Sequence, residues 1–210
     1  ATGAVAWTRS YAAEGGSLAA SDDGVYLATA PLDGNPVRLR RLTPAGDEAW
    51  STPLPEGAGG TPYPGPDGSL YLVGTTSGTF PGQSKVGVVD LFVAGLDRAT
   101  GDIRWAHQFG RASVNYALDA AVDGNGVTLV GKAETGDDDL LVARVDPHGS
   151  LGWLWSLPGQ ARLEPVGGGL DAAGNLYVVG TALQTLPGQS ETRHGSMFSL
   201  RNFAGLEAPA

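Results

Sequence analysis

The apolar positions of this chain fall in short runs rather than at helical spacing. Four of them, "VYLATA", "LYLVGT", "VTLVGK" and "LYVVGT", are each entered through a cluster of turn residues: "DDG" from residue 22, "PDGS" from 66, "DGNG" from 123 and "AAGN" from 172. Asp, Asn and Gly supply the turn conformations, and the β-branched and aromatic runs after them are strand-like, so each block predicts a hairpin. A further run follows each hairpin: "VRLRRL", "LFVAGL", "LLVARV" and "MFSLRN". A turn-and-Trp segment comes next, in "TPAGDEAW" ending at Trp50, "DRATGDIRW" at Trp105 and "DPHGSLGW" at Trp153, with a truncated "GAVAW" ending at Trp7.

The tryptophans are 43, 55 and 48 residues apart. A period of this length marks units that stack on their neighbours to bury a shared apolar face. Each unit offers four antiparallel strands, which predicts an all-β chain: a β-propeller of four four-stranded blades. Their approximate bounds are 11–50, 51–105, 106–155 and 156–210, the last completed by residues 1–10. The last unit has no Trp strand of its own and the first residues form a spare one, so the N-terminal strand is expected to pair into the last blade and leave no exposed edge. A fragment of a larger ring, or two chains completing one, are the alternatives.

"VDLFVAGLDRATGDIRWAHQFG" followed by "LDAAVDGNGVTLVGK", together with "YLVGTTSGTFPG", resembles the bacterial β-propeller repeat called SBBP. The likeness runs through nearly the whole chain, best at 70–181 and weakest in the first unit, where "PLDGNPVRLRRLTPAG" departs from it. "LDRATGDIRW" is also similar to the docking motif of quinoprotein-type propellers, which packs blades together and binds no cofactor. The SBBP resemblance implies a secreted or surface-attached bacterial protein. An excess of Arg over Lys with abundant Ala and Gly agrees, through a GC-rich genome.

A second regularity lies above the unit. "TFPGQS" at 79–84 returns as "TLPGQS" at 185–190, with a constant offset of 106 residues, so units two and four carry a long loop that one and three lack. Pro fixes φ and Gly frees it, which makes the shared core a turn scaffold. The candidate ligand-binding residues are Phe80, Gln83 and Lys85 of the first loop and Gln189, Arg193 and His194 of the second. Insertions tolerated because long loops cost little account for the same pattern.

Chemistry is sparse. The sequence holds no Gly-x-Ser-x-Gly elbow, no phosphate-cradling Gly loop, no His-Glu-x-x-His and no cysteine. His107 belongs to an outer strand and His148 to a turn, so neither aims at a shared pocket. Asp137, Asp138 and Asp139 are weak candidates for Ca²⁺, a solvated turn being the preferred account. Asp90, ahead of "LFVAGL" as Asp139 is ahead of "LLVARV", is expected to cap the turn at strand entry. Trp7, Trp50, Trp105 and Trp153 share one register and are read as packing between units, whereas Trp155 is either extra packing or a surface anchor.

A net charge of −9 gives no footprint for nucleic acid or an acidic membrane surface. No run of 18 apolar residues and no signal peptide is recognised, so the chain is expected to be soluble as given or already processed. The expectation is a non-catalytic extracellular binding or adhesion module, monomeric with a dimer as the alternative. Its loops would face a protein or carbohydrate at the cell surface, with no cofactor beyond a candidate Ca²⁺ or channel ion. A structural part of a surface assembly, or a propeller enzyme, are the alternatives.

Overall fold

The computed structural model describes residues 5–32, 34–134, 139–157, 163–182 and 196–200. These residues form fifteen strands and no helix. The first sheet is β1 (Ala13–Ser21), β2 (Gly24–Pro31), β3 (Arg38–Leu42) and β4 (Glu48–Pro53). The second is β5 (Ala58–Pro64), β6 (Leu70–Thr76), β7 (Asp90–Leu96) and β8 (Ile103–Phe109). The third is β9 (Asn115–Asp123), β10 (Gly126–Ala133), β11 (Asp139–Val145) and β12 (Leu151–Leu157), and the last is β13 (Leu163–Leu170), β14 (Leu176–Ala182) and β15 (Ser196–Leu200). In each sheet neighbours in sequence are antiparallel neighbours in space. The fourfold pattern of the sequence is thus four successive meanders, three of four strands and one of three among the described residues.

The sheets stack in chain order. Tyr26, Ala28 and Leu39 of the first meet Leu70, Leu72 and Phe92 of the second in one apolar cluster. Tyr71, Val73 and Val93 of the second meet Val127, Leu129 and Leu141 of the third in another. Val130 and Val142 of the third meet Leu176 and Val178 of the fourth. Middle strands of inner sheets are therefore covered on both faces: Leu72 and Tyr71, neighbours pointing opposite ways, are 0% and 2% exposed. This is why "LYLVGT" and "LFVAGL" read as continuous apolar runs instead of alternating ones. The first strand of each sheet faces the first strand of the next, and side chains tie them. Ser17 Oγ donates to the Gly60 carbonyl at 2.9 Å, Tyr63 Oη donates to Asp119 at 3.1 Å, and Asp119 accepts the Gly168 amide at 3.0 Å.

The Trp register is a docking device. Trp50 lies against the β7–β8 turn, its Nε1–H donating to the Arg98 carbonyl at 3.1 Å, and Trp105 repeats the contact on the Pro147 carbonyl at 3.1 Å. Gly101 and Gly149 receive the two rings; both have positive φ, and a Cβ on either would come within 2.6 Å of the ring. Four residues beyond each Trp, Leu54 and Phe109 are buried in the adjoining clusters. Trp153 and Trp155 both pack on the third cluster, so Trp155 is packing.

Residues 5–12 carry the same stripe without being a strand. Trp7 Nε1–H donates to the Pro44 carbonyl at 2.9 Å over Gly46, and Tyr11, four residues on, lies under the Arg40 guanidinium at 4.7 Å. Among the described residues, β15 is bonded to β14 alone, and no pairing joins it to residues 5–12.

Candidate functional site

The connection between β6 and β7, residues 77–89, is built from the inside outwards. Two buried polar side chains organise it. Asp90 accepts the amides of Val86 and Gly87 at 2.9 and 2.7 Å, and it accepts Gln108 Nε2 at 2.8 Å. Gln108 also donates to the Gly78 carbonyl and accepts the Phe80 amide, both at 3.1 Å. The expectation that Asp90 caps the turn at strand entry is met, and Gln108 of β8 is a partner that strand periodicity alone did not reveal.

A second seam fixes the far side of the loop. The amides of Val88 and Val89 donate to the Ser113 carbonyl at 2.6 and 3.1 Å. Asn115 closes the corner: its backbone amide and its side chain both donate to the Val89 carbonyl at 2.9 Å. Such a loop is a braced ledge, since its amides are spent on the Asp90 and Gln108 side chains and on the Gly57, Phe80 and Ser113 carbonyls.

The structure reassigns the loop's candidate residues. Phe80 is 1% exposed and packs on Phe92 with ring centroids 4.6 Å apart. It is a core side chain that anchors the loop, which corrects its reading as a ligand contact: an aromatic ring at the mouth of a sheet stack gains more from burial than from display. Gln83 turns inward, its Oε1 accepting the Gln108 amide at 3.1 Å. Lys85 is exposed, with Nζ donating to the Ser77 carbonyl at 2.7 Å. Gln189, Arg193 and His194 lie outside the described residues, as do Asp137 and Asp138; Asp139 opens β11. His107 is half-buried on β8, and burial lowers its pKa. Among the described residues no three His, Cys, Asp or Glu side chains cluster for a metal.

Two valines stand out on the ledge among exposed polar residues, Ser77, Thr79, Ser84 and Lys85. Val86 and Val88 are 58% and 60% exposed, alternating with Gly87, whose missing Cβ lets the strip lie on the Ala112 and Ser113 carbonyls. Lys85 flanks them. At its base a cleft of about 470 Å³ runs between Glu56, Gly57, Ser77 and Thr79. The alternation is visible in "KVGVVD", but nothing in the sequence says which valines face out.

The opposite end of the sheets carries tight turns and a group of half-buried ion pairs. Arg98, from the β7–β8 turn, reaches back to the first sheet, donating to Asp23 at 2.7 and 2.9 Å, to Tyr26 Oη at 2.8 Å and to Ser21 Oγ. Hydrogen bonds from Arg98 outweigh partial burial and hold the Asp23 carboxyl down at about 2, helped by the Tyr26 hydroxyl. Burial pushes Tyr26 up to about 12, with Asp23 adding to it.

No known family model matches the chain, and no curated protein does. Among solved structures it is similar to a protein of unknown function from Bacteroides caccae, with a TM-score of 0.49 and 15% identity over 84% of this chain and 60% of that one. It is also similar to the tail fiber of Staphylococcus aureus phage P68, with a TM-score of 0.33 and 10% identity over 93% of this chain and 50% of that one. The chain thus spans 60% and 50% of the lengths of these two structures.

Proposed function

We propose that this chain is a non-catalytic binding module of propeller architecture, working at or outside a bacterial cell surface, and that the 77–89 ledge contacts its protein or carbohydrate partner. The observation that carries the reading is the contrast within the loop. Asp90, Gln108 and Phe80 hold it from below, while Val86, Val88 and Lys85 project from a ledge ordered before any partner arrives. Exposed apolar side chains on a pre-organised loop favour association, because little ordering entropy opposes binding. The propeller reading is supported by residues 5–11, whose Trp7 and Tyr11 repeat the packing stripe of an outer strand. The surface location rests on the SBBP resemblance.

The test is a double substitution, Val86→Asp with Val88→Asp, on an otherwise unaltered chain. Both side chains are exposed, so the melting temperature is expected to stay within a few degrees. Binding to partners captured by the wild type from a glycan array and a bacterial surface-protein panel is expected to fall tenfold or more. Undiminished binding by the folded variant would move the site off the ledge.

A further inference from the structure

The turn ends of the sheets repeat an arrangement of charge from which the second sheet departs. In the first sheet the turn carboxylate Asp23 meets two guanidinium groups, Arg41 from β3 at 3.1 Å and Arg98 from the next sheet at 2.7 Å. In the third, Asp123 is paired with Arg144, which lies opposite Thr128 in the ladder as Arg41 lies opposite Tyr26. In the second sheet the residue opposite Tyr71 is Gly95. Glycine is needed there because the Trp105 ring lies on it; a Cβ would come within 2.4 Å of that ring.

The next sheet places no cation at the position equivalent to Arg98. The residue whose carbonyl receives the indole N–H is Arg98 for Trp50 and Pro147 for Trp105. Both guanidinium positions around the second sheet's turn are therefore taken by residues without charge. Asp67, the carboxylate of that turn, belongs to no ion pair among the described residues, and it accepts only the Ser69 hydroxyl and amide at 2.6 and 3.1 Å. The surrounding frame is otherwise conserved in geometry. Tyr26 and Trp50 sit 6.0 Å apart at 49°, and Tyr71 and Trp105 sit 6.1 Å apart at 55°. Where Arg98 fills the first frame, the second opens as a cleft of about 450 Å³ lined by Asp67, Ser69, Gly95, Trp105 and Pro147. Arg98 and Arg104 border it, each already paired, with Asp23 and Asp97.

We propose that this cleft receives the guanidinium group of an arginine side chain presented by a partner protein, with Asp67 as its counter-charge. The planar fork of a guanidinium matches a carboxylate, and the first sheet displays the same ligand supplied from within the chain. A net charge of −9 favours a cationic partner. The site lies at the turn end, away from the 77–89 ledge, and stands or falls independently of it.

The experiment uses the full chain, labelled with ¹⁵N, and millimolar N-acetyl-arginine amide, with N-acetyl-citrulline amide as an uncharged probe of the same shape. The arginine probe is expected to shift the amides of Gly68 and Ser69 and the Trp105 indole N–H, and the citrulline probe to leave them in place. Asp67→Asn should weaken the response at least tenfold. Pro147→Arg, which supplies the cation from within as Arg98 does, should abolish it and raise the melting midpoint; if that variant fails to fold, Asp67→Asn decides. Equal shifts from both probes, or an undiminished response in Asp67→Asn, would overturn the assignment.

Discussion

Arg98 shows how one side chain joins two sheets. Its guanidinium occupies the space between the β1–β2 turn and its own turn, its Cζ 5.6 Å from the Tyr26 ring centre, and it leaves Asp23 ionised far into acid. Because the folded pKa of Asp23, about 2, lies below its ordinary 3.8, the pair contributes stability that is complete above the ordinary value. That stability disappears as pH falls through the folded value. The side chain is 31% exposed, so solvent screens the contribution and it is modest. Asp23→Asn is therefore expected to lower the denaturant midpoint at pH 7 and to flatten its decline between about pH 4 and 2. A variant whose midpoint runs parallel to the wild type across that interval would remove Asp23 as a source of acid sensitivity.

At the scale of elements, the strands were legible and the loop's inside was not. Turn clusters and β-branched runs mark β2, β6, β10 and β14, because backbone preference and burial, two-sided in β6 and β10 and alternating in β2 and β14, act along the same residues. The docking tryptophans were legible for a related reason, since a large side chain recurring in register has a repeated neighbour to pack on. Phe80 was not, because "TFPGQS" looks like a polar turn, and its burial depends on Phe92 and Gln108, which are distant in sequence. The Asp67 cleft was hidden too, since it arises from strand register, which sets Gly95 opposite Tyr71. The position of Phe80 changes what a loop exchange would do. Replacing 77–89 with the short first-sheet connection removes a core ring together with the ledge, and the fold is expected to suffer. Phe80→Ala should cost about 3–5 kcal/mol in chemical denaturation. A loss below about 1 kcal/mol would mean that the ring is not part of the core.

For the whole molecule, the decisive feature is the segment that packs as an outer strand yet belongs to no sheet among the described residues. Trp7 sits on Gly46 as Trp50 sits on Gly101 and Trp105 on Gly149, and Tyr11 follows it as Leu54 and Phe109 follow theirs. In the second and third sheets that stripe is delivered by the fourth strand of the preceding sheet. The last sheet has three strands among the described residues, with β15 at its edge. Pairing of residues 5–12 with β15 would satisfy the backbone groups of both, and an unpaired edge otherwise invites other chains. Deleting residues 1–10 should therefore do more than shorten the chain. It strips the Trp7 ring from the first sheet, and on this reading it also exposes β15, so the melting temperature is expected to drop by several degrees and oligomers to appear in light scattering. Trp7→Ala isolates the packing part: it should destabilise without driving association, because the mutated segment can still pair. If the deletion behaves like Trp7→Ala, losing stability but remaining monomeric, the segment serves as a cover for the first sheet and does not pair with β15.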